Sequence, residues 1–108
     1  MVIDFEAVNK IARDYAKDVS RELPIEKAVL FGSCAKKTAT ELSDVDICFF
    51  VKSYNGKRKV DLVTQILGIC REKYCHVGFE PVVFEIAEIQ RDNPFVREIL
   101  ATGIELLQ

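Results

Sequence analysis

The chain has 108 residues, 49% of them hydrophobic and 30% charged, with a net charge of −2 and a pI near 5.4. This is globular composition with enough apolar residues for one modest core, so a single domain over residues 1–108 is expected. The lack of a basic excess argues against a surface for long nucleic acid, and no apolar run approaches the roughly 18 residues of a spanning helix, so a cytoplasmic chain with no membrane contact is expected.

In chain order, Phe5, Val8, Ala12, Tyr15, Val19 and Leu23 recur at three and four residues, which predicts a first amphipathic helix from Asp4 to Glu22 that Pro24 terminates. Ile25 to Phe31 reads as a short strand. The run Val45 to Val51, VDICFFV, is apolar and rich in β-formers and stops at Ser53-Tyr54-Asn55-Gly56, so it reads as a buried strand. Val60, Val63, Ile66, Leu67 and Cys70 restore helical spacing from about Gly56 to Tyr74, and Phe79 to Ile86 returns to strand character. Asp92-Asn93-Pro94 supplies an N-cap for a helix through Leu100, after which Gly103 releases the chain into a terminal strand at Ile104 to Leu107.

The four cysteines, Cys34, Cys48, Cys70 and Cys75, form no CxxC pair, and His76 is the only histidine, so free thiols are expected rather than a zinc site. The stretch FGSCAKKT from Phe31 to Thr38 invites a phosphate-loop reading. An ATPase loop needs a second glycine where Lys36 stands, however, and its companion acid ends a strand, whereas Asp44 and Asp46 begin one. On a strand those two carboxylates project from one side, about 7 Å apart at the backbone. Side by side they repel unless a divalent cation sits between them, and magnesium, with its preference for carboxylates, water and phosphate oxygens, is the expected occupant.

Gly32-Ser33, the ten residues from Cys34 to Ser43, and then Asp44-Val45-Asp46 reproduce the GSx10DxD signature of the minimal nucleotidyltransferases in the DNA polymerase β superfamily. Phe31, Ala35, Ser43 and the apolar run Ile47 to Val51 also resemble that family, and the resemblance spans nearly the whole chain. Lys37 departs from it, standing where many relatives carry glycine. The resemblance implies an α/β (α+β) nucleotidyltransferase palm, with a small mixed β-sheet and helices mainly on one face. It also implies a third carboxylate on a later strand, for which Glu80 is the candidate and Glu85 the fallback. Glutamate is longer than the aspartate common there, and Pro81 beside it points to an edge position or a shifted register.

The implied site is then Gly32 and Ser33 on the phosphates, with a short helix opening at Ser33, Lys36 and Lys37 neutralising tail charge, and Asp44, Asp46 and Glu80 as catalytic residues holding two Mg2+ ions (or Mn2+). The implied activity is transfer of AMP from ATP to a hydroxyl. A chain of this length is expected to be the catalytic palm alone, with the acceptor supplied from elsewhere, and the resemblance points to an antitoxin acting on a tyrosine of a helical HEPN ribonuclease toxin. A non-catalytic module that caps such a partner, and a homodimer that modifies a small molecule, are the alternatives. Strand parity adds one more expectation: Cys48, Phe50, Val82 and Phe84 share the face of Asp46 and Glu80, and if the helices cover the other face, this apolar patch stays partly open for a partner.

Overall fold

A computed structural model describes residues 5–32, 45–74 and 78–107. The elements are α1 (Phe5–Glu22), β1 (Ile25–Phe31), β2 (Val45–Val51), α2 (Lys59–Lys73), β3 (Phe79–Glu85), a 3-10 turn (Ile86–Ile89), α3 (Pro94–Thr102) and β4 (Ile104–Leu107). The strands form one mixed sheet in the order β3-β2-β1-β4, with β1 antiparallel to β2 and β4 and with β2 parallel to β3. The fold class is the α+β arrangement expected. The short helix expected after Ser33 and the thiols Cys34 and Cys75 lie outside the described residues; Cys48 and Cys70 are buried thiols.

Two crossovers decide where the helices go. From β2 the chain passes through α2 to reach β3 on one side; from β3 it passes through α3 to reach β4, which runs parallel to β3 at the far edge. Parallel crossovers are right-handed, so two that move in opposite directions across a sheet lie on opposite faces. The packing agrees. Ala12, Tyr15, Ala16 and Val19 of α1 and Leu62, Ile66, Ile69 and Cys70 of α2 form the main core with Ala28, Leu30, Val45, Ile47, Phe49, Val51 and Val83. Val96 and Ile99 of α3 form a second core with Val29, Cys48 and Phe50. Each fully buried Val, Ile or Phe in these layers contributes about 1.5–3 kcal/mol of transfer free energy.

The main core is tied together by aromatic packing. Tyr15 of α1 stacks on Phe79 at the start of β3, with centroids 4.4 Å apart and planes at 25°, and its hydroxyl donates to the Ile66 carbonyl of α2 over 2.7 Å. Tyr74 meets the edge of Phe79 and donates its hydroxyl to Asp18 at 2.7 Å. At α3, Asn93 accepts from the Phe95 and Val96 amides at 3.0 and 3.3 Å, and Pro94 occupies the first turn, where no amide hydrogen is needed. Gly103 ends the helix tightly against β1; a Cβ there would meet Val29 and the Ile99 and Leu30 carbonyls.

Three expectations change. The buried stripe of α2 is Leu62, Ile66, Ile69 and Cys70 rather than one built on Val60 and Val63; Val60 is 55% exposed. Ile86 belongs to the 3-10 turn and not to β3. The apolar face of Cys48 and Phe50 is closed, both residues being fully buried, because α3 returns across it. An open partner patch centred on these two residues is therefore ruled out.

Candidate active site

Register brings three residues into one row. In the antiparallel β1/β2 pair Phe31 lies opposite Asp46, and in the parallel β2/β3 pair Asp46 lies beside Glu80. Paired residues on neighbouring strands, about 4.8 Å apart, point to the same face. The companions of the row, Val29, Cys48, Phe50 and Phe84, belong to the α3 layer, so Asp46 and Glu80 present their carboxylates on the α3 face at one end of the sheet.

Gly32 closes this end of β1. Its φ of +73° lies in the left-handed region, and a Cβ on it would collide with Asp46 Oδ2 and stand 3.3 Å from Asp46 Cγ. Glycine is thus required twice, by the backbone conformation and by the carboxylate against it. The Asp46 side chain is half-buried, while Glu80 is exposed. Among the residues expected at the site, the structure brings Gly32, Asp46 and Glu80 together; Ser33, Lys36, Lys37 and Asp44 lie outside the described residues.

Glu85, the alternative third acid, is in register with Val51 at the other end of β3, and its carboxylate accepts the Tyr54 amide at 3.2 Å. Five residues separate it from Glu80, so it also faces away from the row. Pro81 sits in β3, which is an edge strand of the sheet, so its missing donor is tolerated.

Among the described residues, no group of three or more His, Cys, Asp or Glu side chains comes together to hold a metal. Asp46 and Glu80 form a pair of neighbouring carboxylates. Their donor chemistry, oxygen only, fits a hard divalent cation completed by water and phosphate. Cys48, one step further along the same face, is no nucleophile: burial pushes its thiol up to about 12, with the Lys59 charge opposing only in part.

One feature of the site escaped the reading of the sequence. Phe95, in the first turn of α3, meets Phe31 edge-on at 5.8 Å and is 47% exposed. The parity of β1 places Phe31 in the row, but only the return of α3 across that face brings Phe95 to it.

A mixed four-stranded sheet with a glycine turn closing on paired strand carboxylates is the fold of a nucleotidyltransferase palm. The chain belongs to the polymerase β nucleotidyltransferase family, whose model matches residues 13–108. Enzymes of this family transfer nucleotidyl groups and generally work with divalent metal ions. No curated protein matches the chain significantly. Among solved structures it is similar to a protein from Sulfolobus solfataricus, assigned provisionally as a nucleotidyltransferase, with a TM-score of 0.68 and 20% identity over 94% of this chain and 80% of the other. It is also similar to a chain in the crystal structure of a toxin-antitoxin with AMP-PNP, with a TM-score of 0.59 and 14% identity over 88% of this chain and 72% of that one. Among the described residues, no helix is long and apolar enough to cross a membrane.

Proposed function

We propose that this chain transfers AMP from ATP to a hydroxyl acceptor, a tyrosine of a helical HEPN toxin, and so acts as that toxin's antitoxin. The observation that carries the proposal is the convergence of Gly32, Asp46 and Glu80 at one sheet end, within the spacing Gly32-Ser33-x10-Asp44-Val45-Asp46. The similarity to a toxin-antitoxin structure with AMP-PNP supports the choice of nucleotide and partner.

The left-handed turn at Gly32 lets backbone amides approach the β- and γ-phosphates without a side chain in the way, and Ser33 adds a hydroxyl donor. Lys36 and Lys37 balance charge on the phosphate tail. Asp44, Asp46 and Glu80 would hold two magnesium ions, which supply neutralisation of the phosphates and a lowered acceptor pKa when bound. Glu80, exposed on the edge strand, is the residue the acceptor reaches: it orients the hydroxyl and takes its proton. A new bond forms between the acceptor oxygen and the α-phosphorus, the bond from that phosphorus to the bridging oxygen breaks, and pyrophosphate leaves with the electron pair.

ATP labelled at the α-phosphate, incubated with this chain and a helical HEPN toxin, should label that toxin at tyrosine, while γ-labelled ATP should not. Label transferred from the γ position instead would mark a kinase and overturn the proposal. No transfer to any hydroxyl acceptor would leave this chain as a module that only binds its partner.

A further inference from the structure

The row of Phe31, Asp46 and Glu80 is walled on the α3 side by an aromatic ring. Phe95 contacts Phe31 on β1 at 5.8 Å and Phe84 on β3 at 5.9 Å, so its ring lies across the sheet between the two and meets the row at Phe31, the residue opposite Asp46. Val96, next to Phe95 on α3, is fully buried, yet 47% of Phe95 remains exposed; the other large exposed hydrophobic among the described residues is Val60, on α2. The polar groups at this end of α3 are already engaged. Asn93 accepts the Phe95 and Val96 amides and donates to Glu88 at 3.3 Å, Arg91 pairs with Glu88, and Arg97 pairs with Asp92. What this end of α3 presents beside the row is therefore an aromatic surface, flanked by hydrogen-bonding groups used within the fold.

We infer that Phe95, backed by Phe31, is the stacking surface for the base of the nucleotide whose phosphates the Gly32 turn holds, an inference that rests on the proposed nucleotidyl transfer. The position favours the base over the acceptor. Phe31 directly precedes Gly32 on the phosphate side of the row, whereas the acceptor hydroxyl belongs at Glu80, one strand beyond Asp46. A base held by its face rather than its edge is selected by stacking area, which purines share and pyrimidines lack in part. The site should therefore take ATP and GTP with similar affinity and hold CTP and UTP more weakly.

Calorimetry of the full chain with magnesium and ATP, GTP or inorganic tripolyphosphate tests this. Phe95→Ala should weaken ATP and GTP by about tenfold and leave tripolyphosphate unchanged, and Phe95→Tyr should restore the parent affinities. Phe95→Leu keeps the apolar packing of α3 and should still lose nucleotide affinity. Equal ATP affinity in Phe95→Leu and the parent would overturn the inference. So would equal weakening of ATP and tripolyphosphate, which would mark Phe95 as purely structural. Failure of the parent itself to bind any of the three with magnesium would instead overturn the proposed nucleotidyl transfer together with this inference.

Discussion

Replacing Gly32 with alanine adds one methyl group and should damage both stability and function by separable amounts. A residue bearing a Cβ at φ +73° costs about 1–2 kcal/mol. The methyl would also collide with Asp46 Oδ2, forcing that side chain off its rotamer at about 0.5–1.5 kcal/mol. A total of about 1.5–3.5 kcal/mol in a chain of 108 residues corresponds to a fall in melting temperature of roughly 7–15 °C. Nucleotidyl transfer should fall about a hundredfold or more, because a displacement of about 1 Å at a reacting geometry has that effect. Thermal melts of Gly32→Ala, Asp46→Ala and the double variant form a cycle. Removing the Asp46 carboxylate relieves the collision but not the backbone strain, so the coupling should be about 0.5–1.5 kcal/mol with the double variant less destabilised than the sum. A Gly32→Ala protein that melts within about 2 °C of the parent, or a cycle with no coupling, would refute a left-handed turn closed against Asp46.

Glu80→Gln should lower transfer about a hundredfold with ATP binding retained, whereas Glu85→Gln should leave transfer intact and loosen the loop at Tyr54; the reverse pattern in a transfer assay would move the third carboxylate. Asp46→Asn should abolish transfer while melting in EDTA at or above the parent temperature, since two neighbouring carboxylates no longer repel, and a clearly lower melting temperature there would make Asp46 structural. ATP binding followed by calorimetry should require magnesium or manganese and vanish in EDTA; equal affinity in both conditions would refute a metal-assembled site. At alkaline pH the fold should weaken. Burial raises Cys48 from an ordinary 9.0 to about 12, and burial with the hydrogen bond to Asp18 raises Tyr74 from 10.0 to about 12. Between pH 9 and 12 the folded chain then holds more protons than the unfolded one, so stability is full below about pH 9 and declines as the pH rises. Urea midpoints that stay flat to pH 11 would contradict this, and Cys48→Ala should flatten the part of the decline that begins nearest pH 9.

What could be read from the sequence follows from how local each signal is. β1 and β2 begin and end where their composition and the flanking Pro24 and Asn55-Gly56 place them, and the Asn93-Pro94 cap starts α3 where expected. The pairing of Asp46 with Glu80 was approachable through strand parity, but their shared register is a tertiary fact. In α2 the expected stripe and the buried one share Ile66 and Cys70 and differ elsewhere because apolar residues surround the helix: Val60, Val63 and Leu67 compete with Leu62 and Ile69, and packing in the main core decides between them. The 3-10 turn is four residues long and carries no period of its own. The closing of the Cys48 and Phe50 face depended on crossover handedness, which needs the strand order β3-β2-β1-β4 and not merely the list of strands.

The stacking of Tyr15 on Phe79 has a consequence for how loss of activity should be inherited. Side chains alternate along a strand, so whatever fixes Phe79 to one layer fixes Glu80 to the other. β3 is an edge strand that carries Pro81, with a sheet neighbour on one side only, and its grip on register owes much to that aromatic anchor beneath the sheet. A screen for inactive variants should therefore recover substitutions at Phe79 and Tyr15 among proteins that still accumulate in folded form, and a second-site change that restores bulk beneath β3 should rescue them without touching a single group on the reacting side.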